Sequence, residues 1–205
     1  FFRRLVEMED RHNKNGVAVS HALSTNGLLI DAEWAAFLAR YNFVTTVSID
    51  ADKKVHGALR PDAGGKDTHN RAVLAVRHLA EQGAEHNVAT VLTRALAAHP
   101  DRTYRYYKDR GFRHVHFIPC LAAPGGDAAP YALGAGDYGK FLRRVFDLWY
   151  RDFTQGEYPS IRLFDSCVPA LAGHAPAGGG GEIEPPVEAA GTVYPRGPGR
   201  APAPV

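Results

Sequence analysis

SHALSTNGLLIDAEWAAFLARYNFVTTVSID, residues 20–50, decides the fold. One apolar run ends in Thr25-Asn26-Gly27, a helical pattern follows it, and a second run ends in Ser48-Ile49-Asp50. Val17–Ser24 alternates as a strand does, Asp31 is placed to cap a helix carrying Trp34, Phe37 and Leu38, and Phe43–Ile49 is β-branched and aromatic. Strand, helix and strand in so short a span make a βαβ unit, so both polar triplets sit at the carboxyl ends of parallel strands. Parallel α/β folds bind their ligands on that side of the sheet. The two triplets predict two walls of one pocket.

The same alternation continues on either side. Phe1, Phe2, Leu5, Val6 and Met8 share one face of an opening helix. Downstream, the spacing of Val73, Leu74, Val76 and Leu79 predicts an amphipathic helix over 67–83 with Gly83 as its C-cap, and 86–93 reads as a strand. A helix over 101–110 stops at Gly111, and a strand follows over 114–121. The longest helix covers 137–153 with Tyr138, Phe141, Leu142, Val145, Phe146, Leu148 and Trp149 on a broad face. A short strand over 160–164 closes the series. Five strands alternating with helices predict a parallel sheet. No sequence repeat accompanies the structural one.

Composition bounds the rest. Of 205 residues, 45% are hydrophobic and 22% charged, which suits a chain with a real core. The net charge is +2, with acidic and basic residues interleaved, so no nucleic-acid or membrane footprint emerges. No window reaches the roughly 18 consecutive apolar residues of a membrane span, and the first residues do not read as a signal peptide. A cytoplasmic monomer is the expectation. Two cysteines, Cys120 and Cys167, can form neither a disulfide framework nor a closed four-ligand metal site. Beyond Leu171 the composition changes, for residues 172–205 hold eight glycines and seven prolines, including GGGG at 178–181. Residues 1–171 therefore read as one domain and 172–205 as a disordered, low-complexity tail, with a hairpin-like island at 187–195.

Taken in order, particular pieces carry a family pattern: STNGLLIDAEWAAFL at 24–38, VSID at 47–50, HGALR at 56–60, GGKDTHNRA at 64–72, HNVATVLTRALAAHP at 86–100, HFIPCL at 116–121, DYGKFLRRVFDLWYRDF at 137–153 and SIRLFD at 160–165. Over roughly residues 1–165 the chain resembles the radical S-adenosylmethionine enzymes with a SPASM extension, most closely the anaerobic sulfatase-maturating enzymes. The resemblance implies a partial (β/α)6 TIM-like barrel. It implies chemistry in which a [4Fe-4S] cluster reduces S-adenosylmethionine to a 5′-deoxyadenosyl radical, which takes hydrogen from a Cys or Ser of a sulfatase polypeptide to give formylglycine. It places Ser48, Arg60 and Leu121 on S-adenosylmethionine. Ser48 offers a hydroxyl for a ribose or amino-acid group, Arg60 can hold a carboxylate, and Leu121 supplies an apolar wall or a backbone group for adenine. Asn26 is expected to order the neighbouring strand ends and the ligand rim.

The departures have consequences. The family's CxxxCxxC loop and its Gly-Gly-Glu-Pro motif would lie upstream of Phe1. Where the family has Tyr-Pro-Cys-Asp, with a cluster ligand and a base, this chain reads Tyr194-Pro195-Arg196-Gly197. The expectation is an inactive internal fragment of the parent enzyme, with the [4Fe-4S] ligands outside it and no catalytic or metal-binding residue of its own. The parent's target can equally be a peptide other than a sulfatase.

Other motifs carry less. Gly134-Ala-Gly-Asp-Tyr-Gly139 matches GxGxxG in form, but no strand leads into it, and Asp137 reads better as a helix cap or first-turn carboxylate. His114 and His116 share one strand face, the geometry of a zinc pair in metal-dependent TIM-barrel hydrolases, with Asp50, His86 and Asp165 near other strand ends. That hydrolase is the competing enzyme reading. Cys120 reads as a small buried apolar residue and Cys167 as a free thiol. Ser48 and Asp50 can also act simply as caps of a βα loop.

Overall fold

The computed structural model describes residues 1–121 and 129–173. Five strands form one sheet in the order of the chain, all parallel: β1 (His21–Thr25), β2 (Phe43–Ser48), β3 (His86–Leu92), β4 (His114–Pro119) and β5 (Ser160–Ile161). Between them run α1 (Phe2–His12), α2 (Ala32–Arg40), α3 (Lys53–Leu59), α4 (His69–Glu81), α5 (Arg94–Ala97), α6 (Pro100–Asp109), α7 (Ala135–Thr154) and α8 (Arg162–Leu171). Residues 1–165 make one compact unit and 166–205 a second, described here only as far as residue 173. The expectations for the tail and its 187–195 island lie outside the described residues.

Alternation sets which side chains meet the helices. Phe43, Thr45 and Val47 of β2 are buried while Val44, Thr46 and Ser48 between them are only partly so. On the buried side, Phe43 meets Phe2 of α1 and Phe37 of α2, at centroid distances of 5.9 and 6.0 Å. Phe117 of β4 meets Tyr107 of α6 and Phe141 of α7 at 5.7 and 5.3 Å. The opposite face carries Ser24, Val44, Thr46, Ser48, His116 and Ile118, exposed or partly exposed, together with the buried Ala89. Parallel sheets are ordinarily covered on both faces. Here the second face is largely open, which suits the wall of a barrel, whose outer face carries the helices and whose inner, bare face turns toward the lumen.

Several boundaries differ from the sequence reading. The first strand begins at His21 rather than Val17, because the Asn13 side chain both accepts from the Val17 N–H and donates to its carbonyl, at 2.8 and 2.6 Å, and holds that segment in a loop. The last strand is two residues long, since Arg162 already begins a helix whose first turn is tied by Ser160 Oγ donating to the Asp165 carboxylate at 2.5 Å. Helices α3 and α5 were not foreseen. Asp52 caps α3, accepting from the N–H groups of Lys54 and Val55. Asp31 caps α2 as expected, through the Trp34 N–H. Gly136 and Gly139 lie inside α7, so GxGxxG forms no phosphate loop, and Asp137 is a first-turn carboxylate behind the N-cap Gly134.

Candidate functional site at the strand ends

The carboxyl end of β2 is built from behind. The hydroxyls of Thr90, in the middle of β3, and Tyr107, on α6, lie within hydrogen-bond reach of the Ile49 carbonyl, at 2.7 and 3.1 Å, and of each other, so their two protons are shared between that carbonyl and the contact between them. Burial pushes the Tyr107 phenol well above its ordinary range, so it stays protonated and able to donate. The Ile49 N–H donates to Ala89 at 3.0 Å. One residue on, the Asp50 side chain is 1% exposed. Its carboxylate accepts from Arg60 Nε at 2.8 Å, from Arg60 Nη2 at 3.4 Å and from the Val91 N–H at 3.2 Å. Asp50 is therefore not a loop cap. Asp52 fills that role, and Asp50 extends the β2–β3 ladder with a side chain while holding a guanidinium.

Arg60 follows α3, and its side chain is 26% exposed. The chain folds it inward because three partners fix its backbone and fork together: its N–H donates to the His56 carbonyl at 2.7 Å, its carbonyl accepts from the Thr68 hydroxyl at 2.6 Å, and Asp50 holds the fork. A guanidinium has five N–H donors. Two are committed to Asp50.

Ser48 is the last residue of β2, half-buried on the bare face, and its hydroxyl makes no hydrogen bond among the described residues. Thr25 pairs with Val47, so Asn26 stands beside Ser48 one strand over. Asn26 is exposed and its side chain accepts from the Leu28 N–H at 3.1 Å, while the Thr25 hydroxyl accepts from Gly27. These local bonds close the turn that begins at the strand end. Gly27 has φ +77, and a Cβ there would lie 3.0 Å from both Ala75 Cβ and Val47 Cγ1. Leu121 follows β4, two strands from Ser48, and is 61% exposed. Strands lie about 4.8 Å apart. No described contact joins Leu121 to Ser48, Arg60 or Asn26; the structure brings the first pair together through the Ser48–Asp50 segment and sets Asn26 beside them.

Behind this rim lies a polar layer that sequence reading missed. His56 is 1% exposed, accepts at Nδ1 from the Asp50 N–H at 3.2 Å and meets Thr68 Oγ1 through Nε2 at 3.0 Å. Burial, above all, lowers its pKa below the ordinary histidine value. His69 Nε2 meets the Tyr106 hydroxyl at 2.6 Å, and burial pushes that phenol up to about 12. Arg110 lies 4.0 Å above the Tyr106 ring. The one usable signal was the run of polar residues at 67–70 just ahead of an apolar periodicity.

The zinc reading fails on placement. His86 and His114 begin their strands and so lie at the amino end of the sheet, opposite Asp50. His86 Nδ1 donates to the Ala84 carbonyl at 2.8 Å, and Asp165 holds Ser160. Among the described residues no three His, Cys, Asp or Glu side chains gather to hold a metal. Cys120 is partly buried after β4, and Cys167 is exposed on α8. A cavity of about 430 Å³ lies away from the strand-end groups, in the helical layer between Ala97, Pro100 and Phe141. Among the described residues no helix is long and apolar enough to cross a membrane.

No protein-family model matches the chain. Individual proteins do. The cysteine-type anaerobic sulfatase-maturating enzyme of Clostridium novyi is 33% identical over 201 residues, 95% of this chain and 54% of the relative. That of Clostridium perfringens is 37% identical over 173 residues, 83% of this chain and 47% of the relative. Native anSMEcpe, solved with bound AdoMet and the Kp18Cys peptide, superposes with a TM-score of 0.85 at 34% identity, covering 96% of this chain and 56% of that one. The chain is a partial homologue of the anaerobic sulfatase-maturating enzymes. It spans about half the length of the curated relatives it matches. The five-stranded parallel sheet matches the fold of that structure, and the resemblance read from the sequence stands as homology to about half the length of the sulfatase-maturating enzymes.

Proposed function

We propose that the strand ends at Asn26, Ser48, Arg60 and Leu121 form part of an S-adenosylmethionine site, in a parent enzyme that oxidises a cysteine of a sulfatase polypeptide to formylglycine. The observation that carries the reading is the pairing of two free donors at one strand end: the unbonded Ser48 hydroxyl, and an Arg60 fork fixed by Asp50 with N–H groups to spare. A relative that superposes on almost the whole chain was solved with AdoMet bound. Ser48 suits a ribose hydroxyl or the amino-acid end of the ligand, and Arg60 its carboxylate. Leu121, about two strand spacings or ~10 Å away, suits the adenine. Asn26 holds the rim turn. The cysteine-type relatives and the cysteine peptide in the superposed structure favour a thiol substrate over a hydroxyl.

Held by Ser48 and Arg60, S-adenosylmethionine would supply radical chemistry on one-electron reduction. The residues of this chain do not fit the electron donor. A [4Fe-4S] cluster is held by cysteine thiolates, this sequence has two cysteines, and Cys120 and Cys167 belong to different units of the chain.

Calorimetric titration of the chain with S-adenosylmethionine tests the site. Saturable binding is expected, weakened about tenfold or more in Arg60→Met, the size of a lost charge-assisted hydrogen bond, and less in Ser48→Ala. Absence of binding at millimolar ligand, or binding unchanged in the double variant, overturns the assignment.

A further inference from the structure

The layer behind the pocket holds one imidazole whose protonation state the geometry determines. Asp50 presents a main-chain N–H to His56 Nδ1, and an amide N–H can only donate. Thr68 has a single hydroxyl proton, and the Arg60 carbonyl takes it, at 2.6 Å, because a carbonyl has none to give. Thr68 Oγ1 must then accept from His56 Nε2, 3.0 Å away. Only the neutral ring with its proton on Nε2 satisfies all three bonds. The ring also sits at a junction. On one side it holds the residue whose carboxylate grips the Arg60 fork, on the other the hydroxyl that grips the Arg60 carbonyl, and its own carbonyl accepts the Arg60 N–H.

We propose that His56, as the neutral Nε2–H imidazole, is the positioning residue that locks Arg60 and the Ser48–Asp50 strand end into one geometry while touching no ligand. The proposal rests on the strand-end pocket of the preceding section, and on S-adenosylmethionine only for what that pocket receives. His56 works through two hydrogen bonds of opposite sense, so bulk alone does not replace it. A proton added at Nδ1 would set donor against donor at the Asp50 N–H, turn that amide away and carry the carboxylate with it. The charged and titratable groups facing the ring are Asp50 at the end of β2, Arg60 after α3, and Asp67 and His69 at the start of α4. Burial favours the neutral form.

Residue-resolved NMR on the full chain tests this. In the wild type, His56 Nδ1 is expected to resonate as an unprotonated nitrogen and Nε2 as a protonated one, and the Arg60 Nε–H is expected to be protected from exchange. His56→Asn puts an amide oxygen near the position of Nδ1 and keeps the acceptor for Asp50. His56→Gln puts an amide N–H near Nε2 and loses that acceptor. Asn is expected to retain the Arg60 protection, and Gln to lose it by about tenfold, the opening gained when one ordinary hydrogen bond is removed. A proton on Nδ1 in the wild type, wild-type protection in the Gln variant, or equal loss in both variants overturns the proposal. Adding S-adenosylmethionine to the same samples reads the pocket separately: no shift at Ser48 or Arg60 refutes the ligand, while the tautomer and protection pattern still decide the role of His56.

Discussion

The ion pair between Asp50 and Arg60 is asymmetric, and the asymmetry gives a sharp test. Asp50 is 1% exposed and Arg60 26%. Removing the arginine strands a carboxylate where water cannot reach it, with the Val91 N–H as its remaining donor. Breaking a fully buried pair costs about 3–5 kcal/mol, and the partial exposure of Arg60 puts Arg60→Met near the lower end, about 3 kcal/mol. Removing the charge from the other side is milder. Asp50→Asn keeps an oxygen for Val91, and the guanidinium can turn toward solvent, so a cost of about 1–2 kcal/mol is expected. The double variant carries neither the stranded charge nor the unmatched fork, and is expected to be more stable than Arg60→Met alone, by about 1 kcal/mol, which is a coupling of about 2–3 kcal/mol. Urea titrations followed through Trp34 and Trp149 measure all four corners of the cycle. Equal costs for the two single variants, or a double variant at the sum of the singles, would refute the buried-charge account.

Three further outcomes are expected. Gly27→Ala forces a side chain into φ +77 and against Ala75 and Val47 at 3.0 Å, and should cost about 2–4 kcal/mol from backbone strain and overpacking together; wild-type stability in urea would show that the rim turn relaxes freely. Asp152, buried on α7, accepts from Lys108 at 2.8 Å and from the Tyr104 hydroxyl at 3.0 Å. Asp152→Ala should lower stability by about 2–3 kcal/mol, discounted for the partial exposure of Lys108, or about 4–12 °C in Tm for a chain of this size; a shift within error would show that α6 and α7 do not depend on the pair. His56 has a pKa lowered by burial, so below the ordinary value of about 6.5 the unfolded chain takes up a proton that the folded chain refuses. Its stabilising contribution is complete above about pH 6.5 and falls as the pH drops below it, by no more than about 1.4 kcal/mol per pH unit. Asp52, Asp67, Asp101 and Asp152, whose pKa values are also lowered, lose theirs only below about pH 4, where their unfolded counterparts protonate. Burial lowers the pKa of His116 as well, so urea titrations at pH 7.5 and 5.5 should show a loss in the wild type that is smaller in His56→Asn, and identical losses would remove His56 as a cause.

What was legible in the sequence was what local periodicity encodes. The alternation of Phe43, Thr45 and Val47 and the helical spacing of Phe141, Val145, Leu148 and Trp149 each follow from contacts that one element makes with the rest of the core, and the structure returns both. Helix α3 escaped because seven residues with a central Gly57 show no periodicity, and its one local signal was the capping Asp52. The interior of the site escaped for a different reason. Ile49 is held by Thr90 and Tyr107, 41 and 58 residues away, and Asp50 by the Val91 N–H, 41 residues away. No window along the chain contains both ends of such a bond. Ser48 and Arg60 were reachable only because a family pattern already stores the outcome of those distant contacts.

The same contacts explain why so few groups at the strand end face outward. The Ile49 carbonyl and N–H, the Asp50 N–H and carboxylate, and the Arg60 N–H and carbonyl all have protein partners. A buried polar group without a partner costs about 1–3 kcal/mol, so the fold satisfies them internally and spends nothing on a rim that merely looks polar. What remains for a ligand is the Ser48 hydroxyl and the uncommitted edge of a guanidinium whose direction Asp50 sets. Both are donors beside a strand whose neighbours on the bare face are small or apolar, Val44 and Thr46 among them. A molecule that binds there must bring acceptors to two points fixed relative to each other and lay an uncharged remainder along the sheet. That demand is narrower than charge alone, because a free anion would engage Arg60 and leave Ser48 and the apolar wall unused.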